Sequence, residues 1–279
     1  MASDLVNCVE KSTLYVVATP IGNLKDITLR ALDVLKNVDL IAAEDTRTTS
    51  ILLEKYDIST KLISYHKYSD LSKCEKLIEL LEQGNSIALV SDAGTPLISD
   101  PGNFLVELAI KNGFKVVPVV GASALIGLLS ATSRQDEDFK FIGFIERNKN
   151  QIIETIKKNN FENLIFYESP NRLISTLEII SEVFPKKRIT VARELTKKFE
   201  EIITDDIINI IEHFKNNVLK GEIAVLAHKS EKDKKEDFEI EEKIQKLKKL
   251  NLKDKEISSI LASLYDLNKN DIYKLCIKK

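Results

Sequence analysis

The stretch SDAGTPLISDPG, residues 91–102, holds the densest set of residues able to do chemistry, with Asp92, Gly94, Thr95, Pro96, Ser99, Asp100, Pro101 and Gly102 crowded into twelve positions. Carboxylates beside a glycine-rich turn can hold a divalent ion, so Asp92 and Asp100 fit a magnesium-dependent phosphohydrolase as one reading. A plainer reading makes Asp100 a helix N-cap with Pro101 at the first helical position. Two prolines and two glycines exceed what a cap requires, and a backbone that closely approaches a ligand accounts for them better. TPIGN at 19–23, with Pro20 and Gly22, and VGASA at 120–124 gather further small residues in the same way. No two of the nine glycines stand one residue or four residues apart in the manner of Gly-x-Gly or phosphate-loop motifs, which excludes dinucleotide sites and P-loop NTPases.

Other chemistry sits in AAEDTRTT and VARE. Asp45, at a strand end, is the first candidate for a general base, with helix N-capping as the alternative. Arg47 and Arg193 stand beside acids, where they could grip phosphate as a fork or pair with Asp45 and Glu194. Cys8, Cys74 and Cys276 are scattered and odd in number, which fits a reducing compartment and no disulfide framework. His66, His213 and His228 lack the i, i+4 pairing of a helical metal site, so no metal is expected. A net charge of −2 with 30% charged residues gives no overall positive field, so RNA affinity would have to come from local patches. The lysines at 157, 186, 197 and 248 are interleaved with acids and read as solvated surface.

These loops follow short β-rich runs that alternate with amphipathic stretches: LYVVATP, TLRALDVLKNV, DLIAAED, TSILLEKY, KLISY, LSKCEKLIELLEQG, SIALVSDA, NFLVELAIKNG and KVVPVV. Such alternation predicts crossover units around a largely parallel sheet, buried on both faces where SIALV and KVVPVV are apolar on both parities. Ligands bind outside the carboxyl ends of strands in open α/β sheets, so the three loops outline one crevice. After a polar linker in SRQDED a second series runs from FKFIGFI through NLIFYES, NRLISTLEIISEVF, RITVARE, EEIITD and DIINIIEHFKNN to EIAVLAHK. Leu173, Leu177, Ile180 and Phe184 form one stripe of the long helix. A charged segment, KSEKDKKEDFEIEEK, then leads to leucine and isoleucine at helical spacing around breaks at LNLKD and DLNKN. The expected division is an N-terminal α/β domain over 1–132, a second α/β domain over 133–230, and a charged linker with a small helical subdomain over 231–279.

Taken in order, VVATPIGNLKDITLRALDVL, LIAAEDTRTT, ALVSDAGTPLISDPG, LIFYESPNRL, VARELTK and LKGEIAVL resemble the bacterial ribosomal RNA small subunit methyltransferase I family. The resemblance implies a tetrapyrrole-methylase-like fold: two α/β domains with S-adenosylmethionine in the cleft between them, plus C-terminal helices. It implies a homodimer and 2′-O-methylation of a cytidine in the decoding region of 16S rRNA, within the small ribosomal subunit. Gly94, Thr95, Pro96, Ile98, Ala122 and Ser123 should then line the cofactor, together with Pro20, Gly22 and Asp92 of the strand-end loops. Tyr167, Glu168, Leu226 and Ala227 should close the pocket from the second domain.

The chain departs from the family pattern at VVGASA, where proline and glycine usually precede Ser123, and at GFIERNKNQ, where proline and basic residues usually follow GF. That leaves Arg147 and Lys149 as cations of a presumed RNA-contact loop, counted with Arg47, Arg172 and Arg193 as candidate RNA contacts. The competing readings are the phosphohydrolase on Asp92 and Asp100, a non-catalytic RNA-binding assembly factor, and methylation of a tetrapyrrole or other small molecule. The opening residues carry no signal-peptide pattern and no run approaches a membrane span, so a soluble cytoplasmic protein is expected.

Overall fold

A computed structural model describes residues 9–66, 71–134, 138–216, 219–230, 234–250, 252–265 and 267–277. Cys8 and the opening residues 1–8, residues 135–137 of the expected linker and residues 231–233 of the charged segment lie outside them.

The first sheet comprises β1 (Thr13–Val17), β2 (Leu40–Ala43), β3 (Leu62–Ser64), β4 (Ile87–Val90) and β5 (Lys115–Val119), in the order β3-β2-β4-β1-β5 with every pairing parallel. Alternate residues serve opposite faces, as a period of two demands. Tyr15, Val17, Ile41, Ala43, Ala88 and Val90 pack against α1 (Leu29–Asn37) and α2 (Thr46–Lys55). Leu14, Leu40, Ala42, Ile87 and Leu89 pack against α3 (Leu71–Glu82) and α4 (Asn103–Lys111). Burial on both faces is why β1, β2 and β4 lack polar alternation. KVVPVV behaves differently from the sequence reading. As the edge strand β5 it is only partly buried, and Pro118 is tolerated because an edge need not donate from every residue.

The second sheet comprises β6 (Lys140–Phe144), β7 (Leu164–Glu168), β8 (Arg188–Arg193), β9 (Glu201–Asp206) and β10 (Ile223–Ala227), ordered β6-β7-β10-β8-β9. Only β6 and β7 run parallel; β10 is antiparallel to both neighbours, and β8 is antiparallel to β9. One face packs on α6 (Lys149–Lys158), α7 (Pro170–Val183) and α8 (Ile207–Lys215), with Phe166, Phe214 and the expected Leu173, Leu177 and Ile180 stripe at its centre. The other face takes Leu128 and Leu129 of α5 (Ala124–Ser130) onto Ile165, Ala192, Ala224 and Leu226. Thus α5, which the expected boundary after residue 132 places with the first series, packs on the second sheet.

Residues Met1–Lys229 form one compact unit containing both sheets, and Ser230–Lys279 form another. In the latter, α9 (Lys234–Lys248), α10 (Asp254–Tyr265) and α11 (Lys269–Ile277) enclose Ile240, Ile244, Ile257, Leu261, Ile272 and Cys276, and successive helices are separated at the two predicted breaks. Among the described residues, no helix is long and apolar enough to cross a membrane.

Candidate functional site

The loop after β4 is shaped by backbone conformations that few residues adopt. Gly94 and Gly102 have φ of 79° and 133°, and the non-glycine residues Leu97 and Ser99 have φ of 74° and 73°. Each left-handed non-glycine costs roughly 1–2 kcal/mol, so the loop is held by its surroundings rather than by its own preference. At Gly102 a Cβ would lie 2.8 Å from Leu89 Cδ2, which leaves glycine as the residue that fits. Gly102, not Asp100, is the N-cap of α4, and no side chain caps that helix. The capping role read for Asp100 is therefore corrected: the turn continues two residues further, and Asp100 faces a cavity instead.

The three small-residue loops converge. Thr19 N–H donates to the Gly94 carbonyl at 2.9 Å and Gly94 N–H donates back to the Thr19 carbonyl at 3.0 Å. Thr95 Oγ1 donates to the Ala122 carbonyl at 3.1 Å. Beside them opens a cavity of about 420 Å³. Its walls from the first series are Ile21, Glu44, Asp92, Ala93, Gly94, Thr95, Ile98, Ser99, Asp100, Ser123 and Ala124. From the second come Phe144, Tyr167, Glu168, Ser169, Pro170, Ala192, Leu195 and Gly221 through Ala224.

Of the residues expected at a cofactor, Asp92, Gly94, Thr95, Ile98, Ser123, Tyr167 and Glu168 line this cavity. Pro96 is buried beneath the loop, and Ala122 contributes the carbonyl that fixes Thr95. Pro20 and Gly22 line a smaller adjoining cavity. Leu226 and Ala227 lie away from both, enclosed in the second sheet's two cores. The reason is strand direction: Ile223 of β10 pairs with Glu168 at the carboxyl end of β7, so β10 presents its amino end to the cleft and supplies Ile223 and Ala224.

Glu168 is 2% exposed and fully engaged. Its Oε1 accepts from Ser169 N–H at 2.7 Å and pairs with Arg172 Nη1 at 3.2 Å, while Oε2 accepts from Thr176 Oγ1 at 2.7 Å. Arg172 also donates to the Glu146 carbonyl at 2.6 Å. These contacts make Arg172 a brace at the start of α7 rather than an open cation. Arg193 pairs with Glu201 at 3.0 Å, across the β8–β9 hairpin. Glu194 accepts from Lys197 Nζ at 2.8 Å and from Glu222 N–H at 3.1 Å. Arg147 is exposed, and Lys149 reaches Glu182 at 2.6 Å on the surface.

Asp45 is the N-cap of α2, accepting from Arg47 N–H at 2.8 Å, and its carboxylate is paired with Arg47 Nη2 at 2.6 Å. The guanidinium holds its pKa down to about 2, which makes it a weak proton acceptor. The neighbouring acids shift the other way. Burial, with Glu44, Asp92 and Glu222 close by, pushes Asp100 up to about 6. Burial also raises Asp92 and Glu44, each further repelled by nearby carboxylates. Glu44 and Glu222 were not assigned from sequence, and Asp100 was read there only as a metal-holding carboxylate or a helix cap. Glu44 adjoins the singled-out Asp45 at the end of β2, and Glu222 lies in LKGE just before β10, where an antiparallel strand would place its site residues.

Residues 13–210 match the tetrapyrrole (corrin/porphyrin) methylase family. A Rickettsia prowazekii protein named ribosomal RNA small subunit methyltransferase I is 42% identical over 277 residues, covering 96% of this chain and 98% of that protein. A protein of the same name from Halalkalibacterium halodurans is 45% identical over 219 residues, covering 78% of this chain and 76% of its own length. Among solved structures, a diphthine synthase superposes with a TM-score of 0.63 at 14% identity, over 78% of this chain and 90% of that one. At that identity the likeness is one of fold.

Proposed function

The chain belongs to the ribosomal RNA small subunit methyltransferase I family of tetrapyrrole methylases, and from that premise we propose that it methylates the ribose 2′-hydroxyl of a cytidine in the decoding region of 16S rRNA, using S-adenosylmethionine. The observation that carries the cofactor assignment is the acid-lined, otherwise largely apolar cavity between the sheets. S-adenosylmethionine has a flat adenosine and two positive centres, a sulfonium and an ammonium. Ile21, Ile98 and Leu195 supply apolar walls for the former, and Ala192 and Ala224 leave room beside them. Backbone at Gly94 and Thr95 and the Ser123 hydroxyl supply hydrogen-bonding groups. Asp100, Glu44 and Asp92 supply negative charge where a cation would relieve their mutual repulsion.

When bound, the cofactor supplies an electrophilic methyl group on sulfur. The protein's share is alignment in a cleft that excludes water. Asp45, already neutralised by Arg47, positions rather than accepts: it caps α2, and its N–H holds Asp92 Oδ1 at 3.0 Å. Of the five expected RNA contacts, Arg147 and Lys149 retain surface positions suited to phosphate, whereas Arg172 and Arg193 act through the carboxylates they brace. The enzyme acts as a homodimer in the cytoplasm on the small ribosomal subunit.

The phosphohydrolase reading loses its support with the family assignment, and among the described residues no three histidine, cysteine or carboxylate groups converge as a metal cage. The deciding experiment is incubation with labelled S-adenosylmethionine and unmodified small subunits, followed by mapping of 2′-O-methyl groups. Label confined to a base or to protein would overturn the ribose assignment.

A further inference from the structure

The large cavity has a smaller neighbour of about 240 Å³, and the two share Ile21, Asp92, Ala93 and Glu222. The neighbour's remaining wall comes from the TPIGN loop, from Lys197, and from the first turns of α2, including Thr48 and Thr49. Thr49 is only 4% exposed, yet its hydroxyl has no hydrogen-bond partner among the described residues, whereas Ser50 beside it donates to the Thr46 carbonyl at 2.6 Å. The hydroxyl keeps contact with the space it lines rather than being sealed in the core. An accessible hydroxyl with no partner in the protein is free to bond a ligand that enters this space.

The chemistry asks for such a second compartment. An in-line displacement needs the acceptor to approach the methyl carbon from the side opposite the leaving group, so donor and acceptor belong in adjoining spaces that meet at one wall. The shared wall carries two carboxylates, Asp92 and Glu222, and the smaller cavity alone carries a cation, Lys197, which is held by Glu194 at 2.8 Å and Glu222 at 3.1 Å.

We propose that the smaller cavity receives the acceptor nucleotide, with the Thr48 and Thr49 hydroxyls recognising it and Asp92 accepting the proton released by its ribose hydroxyl. This deepens the methyl-transfer reading above and rests on it. The Asp92 N–H donates to Glu44 Oε2 at 3.4 Å, and its carboxylate accepts from the Asp45 N–H at 3.0 Å, so the group is fixed in place before any ligand arrives. Partial desolvation and the nearby Asp45 carboxylate raise its pKa, which suits a group that must take up a proton.

The test uses Thr48→Trp, which fills the mouth from an exposed position, and Thr49→Val, which removes only the hydroxyl. Binding of cytidine 5′-monophosphate is followed by saturation-transfer NMR with S-adenosylhomocysteine present, and S-adenosylmethionine binding by calorimetry. Thr48→Trp should weaken the nucleotide probe and raise KM for small subunits by about tenfold or more, and Thr49→Val by about threefold, while cofactor Kd stays within about twofold. The proposal is overturned if the wild type shows no saturable probe binding, if Thr48→Trp leaves it unchanged, or if cofactor affinity falls in parallel. A wild type that binds both ligands but transfers no methyl group to small subunits would overturn the methyl-transfer reading instead.

Discussion

In the first sheet the strands are parallel and β1, β2, β4 and β5 deliver their carboxyl ends to the cavity, whereas in the second β10 arrives from the opposite direction and delivers its amino end. The first half obeys the strand-end rule for open parallel sheets, and the loop after β4 supplies the strained backbone and two of the cavity's acids, Asp92 and Asp100. The second half breaks that rule at its central strand. There the site residues precede the strand, at Gly221 and Glu222, instead of following it. Parallel order thus makes a site legible from the loops alone, and one reversed strand shifts the reading by the full length of the strand.

The sharpest way to break this comparison is in the first half. Gly94→Trp puts a bulky side chain into the cavity at φ 79°, where even a Cβ meets Ile21 Cγ2 at 3.3 Å. Calorimetry should show cofactor affinity falling by more than about 100-fold, roughly 2.7 kcal/mol, with the far-ultraviolet circular dichroism of the wild type retained. In the second half, Leu226→Ala should cost about 2–5 kcal/mol of stability in denaturant titration yet leave cofactor Kd unchanged, because the side chain is fully buried away from the cleft. Ala224→Val, two residues earlier on the same strand, should weaken the cofactor several-fold. Equal effects of the two on Kd would contradict the strand polarity argued here.

Asp100 sharpens the electrostatic side of the comparison. Its pKa stands at about 6 against a usual 3.8, so the folded protein holds this proton more tightly than the unfolded chain does. Above pH 6 the ionised group therefore opposes folding of the unliganded protein, and that opposition fades as pH falls toward 4. Asp100→Asn should melt at a higher temperature than the wild type at pH 8, with the gap closing by pH 4. Cofactor binding should tighten in the wild type as pH rises through 6 and stay flatter in the variant. The smallest effect belongs to the surface. Lys149→Ala breaks an exposed ion pair worth about 0–1 kcal/mol, and filter binding of small subunits at several salt concentrations should show the slope reduced by about one ion or less.

The order of strands and helices was legible because each carries its own period and stop signal. Leu173, Leu177 and Ile180 mark one face of α7, and Gly84 and Gly113 end α3 and α4 in left-handed conformations. Pairing direction was not legible, since it depends on contacts between residues far apart in the chain. β8, β9 and β10 look much like the strands of the first sheet. The same limit hid the partners of charged groups: Arg193 stands next to Glu194 in sequence, but successive strand residues point to opposite faces, so the cross-strand Glu201 is its partner. Asp100 resisted for another reason. Asp-Pro is a sound helix start by local propensity, but Leu97 and Ser99 take left-handed backbone conformations ahead of it and the helix starts later, at Gly102.

The mutual pair of hydrogen bonds between Thr19 and Gly94 rivets the tips of two loops separated by more than seventy residues of chain. Neither tip can wander without dragging the other, so the cavity floor is assembled before ligand arrives and little ordering entropy remains to be lost on capture. In deuterium exchange those two amides should lag far behind neighbouring loop amides even in the unliganded protein. The slow spot in an otherwise loop-built floor would mark where the first half stores its rigidity.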